Sequence, residues 1–176
     1  TSLSRISTKV AAKKHMKQKQ LLGLKKDIEK GSSVLKNLEA WDNLDRVNLA
    51  PYLERWCPGH LKSGRRLKSR LRCGSHDLQC NQAHRDGSED KRCKCCNSGV
   101  TESVEHNLLK CKTFSHRRDN FWHQMDIVSD EKFSSKSKTD QLKIIMSDDT
   151  PKELDYIIYR YLQHLDQDRK ACLDSL

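Results

Sequence analysis

The stretch Cys93-Lys94-Cys95-Cys96-Asn97-Ser98-Gly99-Val100-Thr101-Glu102-Ser103-Val104-Glu105-His106-Asn107-Leu108-Leu109-Lys110-Cys111 decides how this chain is read. Cys93 and Cys96 form C-x2-C, and His106 and Cys111 form H-x4-C, giving C-x2-C-x9-H-x4-C. A C-x2-C turn aims two thiolates at one point, and Asn97, Ser98 and Gly99 supply the tight backbone after it. His106 and Cys111, five apart on a helix that starts near Glu102, reach the same point if that helix loosens towards its end. Three thiolates and an imidazole suit tetrahedral Zn²⁺, and four protein ligands leave no open position for a reactive water, so the expected zinc is structural. Cys95 competes for a place in the set, but C-x2-C is the commoner turn spacing and favours Cys93 and Cys96.

The chain has eight cysteines and no charged-then-apolar leader, a combination that points to metal ligation in a reducing compartment, nuclear or cytoplasmic, rather than to a disulfide framework. Cys73, His76, Cys80 and His84 offer a second possible ligand set, while Cys57 and Cys172 stand isolated. No run approaches the roughly 18 apolar residues of a membrane span, so no membrane role is expected. Of 176 residues, 35% are hydrophobic and 33% charged, against about a quarter charged in an average domain. That composition suffices for one modest core, and a structural zinc can offset its thinness by on the order of 10 kcal/mol.

The net charge of +10 is unevenly spread: +7 over residues 1–30, −1 over 31–56, +5 over 57–92, +2 over 93–125 and −3 over 126–176. Clustered Lys and Arg are rewarded by counterion release from phosphates, so an RNA or DNA partner is expected along the first two thirds of the chain. The candidate contacts are Lys62, Arg65, Arg66, Lys68, Arg70 and Arg72, with Arg117 and Arg118. Leu67 and Leu71, four apart, would bury one side of a helix over 60–72 and turn most of its guanidinium groups outward. Phe114, Trp122 and His116 are candidates to stack on bases, with burial the more natural fate of the first two.

The periodicity predicts a mainly α chain in four parts: a basic helical arm (1–33), a helical connector (34–56), a basic helix with the zinc module (57–125) and a C-terminal helical segment (126–176). Residues 75–92, poor in apolar anchors, read as a loop. Leu142, Ile144, Ile145 and Met146 form a short buried run, and Ile157, Ile158, Tyr161, Leu162 and Leu165 mark an amphipathic final helix.

Residues 67–118 resemble the C-terminal region of non-LTR (LINE-type) retrotransposon reverse-transcriptase polyproteins. The resemblance rests on Leu71-Arg72-Cys73-Gly74-Ser75-His76-Asp77-Leu78, on Arg92-Cys93-Lys94-Cys95-Cys96, on the run from Glu102 through His106-Asn107-Leu108-Leu109 to Cys111, and on Phe114 and Arg117-Arg118. The chain departs from that pattern at Lys112, where a proline usually follows the last cysteine, and in the extra Cys95. The resemblance implies a zinc- and nucleic-acid-binding module beside the reverse-transcriptase core of a parent polyprotein, and a chain opening on Thr1 is compatible with such a fragment.

The polymerase itself is not expected here, because Asp148-Asp149 is followed by Thr150-Pro151 and reads as a helix start. Two rival readings are a zinc-stabilised protein-interaction module and a metal-dependent endonuclease. The second lacks an ordered carboxylate set, so no enzymatic activity is expected.

Overall fold

The computed structural model describes Lys26 and residues 50–176. The expected arm at 1–33, Lys26 apart, and the connector up to residue 49 lie outside the described residues. The described chain is mainly helical. Its α-helices are α1 (Pro51–Glu54), α2 (Lys62–Arg72), α3 (Gln79–Asp86), α4 (Ser115–Val128), α5 (Lys138–Met146) and α6 (Lys152–Asp174). Three short 3-10 turns, Gly59–Leu61, Lys112–Phe114 and Phe133–Ser135, and one π-helical turn, His106–Lys110, join them. Among the described residues the only β pairing is an isolated antiparallel bridge between Arg92 and Thr101.

The long helix α6 is the spine, packed by α2 and by α4. Its apolar positions Ile158, Tyr161, Leu162 and Leu165 are all buried, at the helical spacing legible in the sequence. On the α4 side, Phe121 stacks on Tyr161 with centroids 4.1 Å apart and meets Phe133 edge-on at 5.4 Å. On the α2 side the approach is close enough to require glycine: a Cβ on Gly64 would collide with the backbone of Tyr159. Backbone cannot swing aside as a side chain can, so Gly64→Ala is expected to cost about 1–3 kcal/mol. The check is the urea midpoint of the variant, and an unchanged midpoint would contradict this packing.

Two expectations need correcting. The stretch 75–92 is not all loop, because α3 occupies Gln79–Asp86. Its first turn is fixed from a distance: the backbone N–H of Gln79 donates to the Glu102 carboxylate at 2.8 Å. Leu78 and Ala83 bury one face, and Gly87, at φ 74°, ends the helix in the left-handed conformation. The second correction concerns α2. Its buried stripe is Gly64, Leu67, Lys68, Leu71 and Arg72, so two of the cations expected to point outward lie in the interface. The Lys68 ammonium donates to Asp155 on α6 at 3.1 Å and to the Thr150 hydroxyl at 3.3 Å, and Arg72 donates to the Met146 carbonyl.

Candidate metal centre and its basic rim

The two halves of the Cys/His pattern are brought together by two unusual pieces of backbone. In the first, the chain reverses after Cys96 through Asn97 (φ 50°) and Gly99 (φ 71°), conformations open to Asn and natural to Gly. The reversal is closed by the Cys93 N–H donating to the Val100 carbonyl at 2.8 Å and by the Glu102 N–H donating to that of Lys91 at 2.7 Å. In the second, the helix that begins at Val104 widens into the π turn, where the Cys111 N–H donates to the His106 carbonyl at 2.7 Å. A π turn closes on i and i+5, so His106 and Cys111 come to one side in a way an α-helix would not allow.

The ligand atoms of Cys93, Cys96, His106 and Cys111 all lie within 4.8 Å of one another. Cys93 Sγ and Cys111 Sγ are 3.9 Å apart, and Cys96 Sγ and His106 Nε2 are 3.4 Å apart. A tetrahedral zinc with Zn–S near 2.3 Å and Zn–N near 2.05 Å has S···S and S···N edges of about 3.8 and 3.6 Å. A disulfide, at about 2.05 Å, is far shorter, and all eight cysteines are free thiols. The cluster can hold a metal ion.

The surroundings favour thiolate ligands once a metal takes the protons. Cys93 accepts from the backbone N–H groups of Cys95 and Cys96, Cys96 from that of Ser98, and Cys111 from that of Thr113. Without a metal, burial pushes the Cys93 thiol up to about 12 and raises Cys111 as well. Cys96 behaves differently: partial burial raises it, but the Ser98 hydroxyl and N–H, with the neighbouring thiols, outweigh this and bring it below the ordinary thiol value. Burial lowers the His106 imidazole and so keeps it in the neutral form a metal requires. Behind the cluster, Arg118 donates to the Cys111 carbonyl at 2.6 Å and Tyr161 to the Leu108 carbonyl, fixing the π turn from α4 and α6.

Cys95 lies close to Cys93 and Glu102, which makes a second grouping. The Glu102 carboxylate is already committed, with Arg169 donating to its two oxygens at 2.7 and 2.9 Å and Gln79 N–H to one of them. Burial and the Cys172 thiol raise the Cys95 thiol, and its carbonyl accepts from the Thr113 hydroxyl. Of the second set, Cys73 is exposed, His76 Nε2 pairs with Asp166 at 3.1 Å and the Cys80 thiol faces Asn81. Among the described residues no metal-holding grouping includes Cys73, His76 or Cys80, and the side chain of His84 lies outside the described part of the chain.

The candidate phosphate contacts divide sharply. Lys68, Arg72 and Arg118 are buried and bonded internally, so they are corrected from surface cations to structural ones. Arg65 donates to the Arg55 carbonyl, Arg70 pairs with Asp77 and Arg117 with Asp168, whereas Lys62 and Arg66 are exposed. Of the stacking candidates, Phe114 is buried, Trp122 lies half-buried beneath the Lys138 ammonium, and His116 is exposed beside Asp168.

The knuckle carries exposed cations that a reading centred on the basic helix misses: Lys91, Lys94 and Lys112, none of them in an ion pair among the described residues, and the paired Arg92 and Lys110. Their signal is present in the sequence, since Lys94 stands between ligand positions and Lys110 and Lys112 flank Cys111. Compared with protein-family models, with curated proteins and with solved structures, the chain matches none of them. No described helix is long and apolar enough to cross a membrane.

Proposed function

We propose that this chain is a zinc-stapled helical module that binds RNA or single-stranded DNA, in keeping with its resemblance to the C-terminal region of LINE-type polyproteins. The observation that carries the reading is the Cys93, Cys96, His106 and Cys111 cluster, its ligand atoms within 4.8 Å of one another and two of its edges near tetrahedral lengths, set among exposed lysines. Three thiolates and a neutral imidazole suit Zn²⁺ better than a hard, oxygen-seeking cation. With four protein ligands the metal is structural, holding the knuckle rigid and so fixing the spacing of Lys91, Lys94 and Lys112. The chemistry of this surface is attraction to phosphate, with Lys62 and Arg66 on α2 adding to it.

The test is fluorescence anisotropy of the zinc-loaded chain with labelled 20-nucleotide RNA and DNA across a salt series. Each phosphate contact on a single strand contributes about 0.7 to the slope of log K against log salt. Replacing Lys91, Lys94 and Lys112 together with Gln is therefore expected to flatten the slope by about 2 and to weaken binding at low salt. Binding that ignores salt, or no binding, would overturn the reading in favour of a protein-interaction module.

A further inference from the structure

Between α4 and α6 lies a polar cleft of about 110 Å³, separate from the metal cluster. This is well below the roughly 300–1,000 Å³ of a pocket for a drug-sized molecule and closer to the scale of one nucleobase. Arg117, Asn120 and Gln124 line it from α4 at i, i+3 and i+7, and Arg160 and His164 face them from α6. At its base is the stacked pair Phe121 and Tyr161.

Two features of this lining suit a nucleotide. The first is charge. No carboxylate lines the cleft. Arg117 is held by Asp168, which accepts from its Nε at 2.6 Å and from its Nη2 at 3.0 Å, leaving Nη1 to donate elsewhere. Arg160 is exposed and makes no ion pair among the described residues. One guanidinium is thus pre-positioned and a second is available.

The second feature is a pair of amides. Gln124 Nε2 donates to Asn120 Oδ1 at 2.7 Å. That bond uses the Asn120 carbonyl and one Gln124 N–H, and leaves the Asn120 N–H donors and the Gln124 carbonyl acceptor open to a ligand. Every base presents a donor next to an acceptor on its Watson–Crick edge, so this amide pair can meet an unstacked base without selecting strongly among sequences. The cleft is also near the knuckle in the chain, since α4 starts at Ser115, four residues after Cys111.

We propose that this cleft is a subsite for one unstacked nucleotide of a single-stranded nucleic acid, with Arg160 and Arg117 holding its phosphate and the Asn120–Gln124 amide pair meeting its base. The proposal rests on the nucleic-acid reading above and assigns it a second contact.

The test uses the zinc-loaded full chain and a 12-nucleotide RNA carrying 4-thiouridine, crosslinked with long-wavelength light and mapped by peptide mass spectrometry. Adducts within residues 115–124 or 157–164 are expected. Adducts confined to residues 91–112 would overturn the subsite while leaving the nucleic-acid reading intact, whereas an RNA that does not bind at all would overturn both. In parallel, the double substitution Asn120→Ala and Arg160→Ala is expected to weaken RNA binding about tenfold and to lower the salt slope by about 0.7. Both side chains are exposed, so the melting curve should not move. Wild-type affinity in that variant would also overturn the subsite.

Discussion

Metal analysis of the purified chain is expected to find one zinc per molecule, and a strong chelator is expected to lower the melting temperature by about 15–25 °C. The size follows from what the cluster anchors. Leu108 and Cys111 are wholly buried and Leu109 nearly so, Arg118 is tied to the Cys111 carbonyl, and Tyr161 reaches the Leu108 carbonyl. A structural zinc contributes on the order of 10 kcal/mol to a small domain. Forfeiting about half of that, roughly 5 kcal/mol, gives such a shift at about 3–5 °C per kcal/mol for a chain of this size. Cys111→Ser should abolish stoichiometric zinc and reproduce the chelated state. Cys95→Ser should retain the metal, because its neighbour Glu102 is committed to Arg169 and Gln79. A metal-free chain that melts at the same temperature with or without chelator would refute the site, and loss of zinc in Cys95→Ser would reassign its ligands.

Asp155→Ala is expected to destabilise the fold by about 3–5 kcal/mol, the cost of leaving a buried charge without its partner. Lys68 has no exposed surface, and without Asp155 it is left with the Thr150 hydroxyl, the faces of Tyr52 and Tyr159, 5.0 and 5.9 Å from its ammonium, and the weaker pull of the Asp148 carboxylate. The reverse change is milder. In Lys68→Met, Asp155 still accepts from Arg55 at 3.1 Å and from Thr150 at 2.5 Å, and a flexible apolar chain fills the vacated path. The difference between the two variants should be about 2 kcal/mol in urea unfolding. Equal costs would mean that the ammonium finds water when its partner is removed.

These two sites differ in how openly the sequence declares them. The Cys/His quartet is local: nineteen residues from Cys93 to Cys111 contain all four candidate ligands, and the spacing alone demands a distorted helix, which the π turn supplies. The final helix is equally legible, because Ile157, Ile158, Tyr161, Leu162 and Leu165 repeat at helical spacing. Lys68 and Arg72 mislead because their partners, Asp155 and the Met146 carbonyl, lie more than seventy residues away. Their positions nevertheless flank Leu67 and Leu71 on one face, so the stripe could have been read with the charges included. For α3 the missing information is the cap, which Glu102 provides from 23 residues downstream. Short-range patterns carry no record of such a donor and acceptor.

The pairings of α6 also bear on the order of events during synthesis. The close approach at Gly64, the counter-charge for Lys68 and the Arg169 that orients Glu102 all come from this helix, 67 to 95 residues beyond the groups they serve. At about 5–20 residues per second, the ribosome presents α2 and the knuckle several seconds before their anchor exists. In that interval the thiols are already in place to take up metal, while the Lys68 ammonium must stay in water. Metal capture can therefore precede helix docking on a growing chain, and the docking of α2 cannot be completed until α6 has been made.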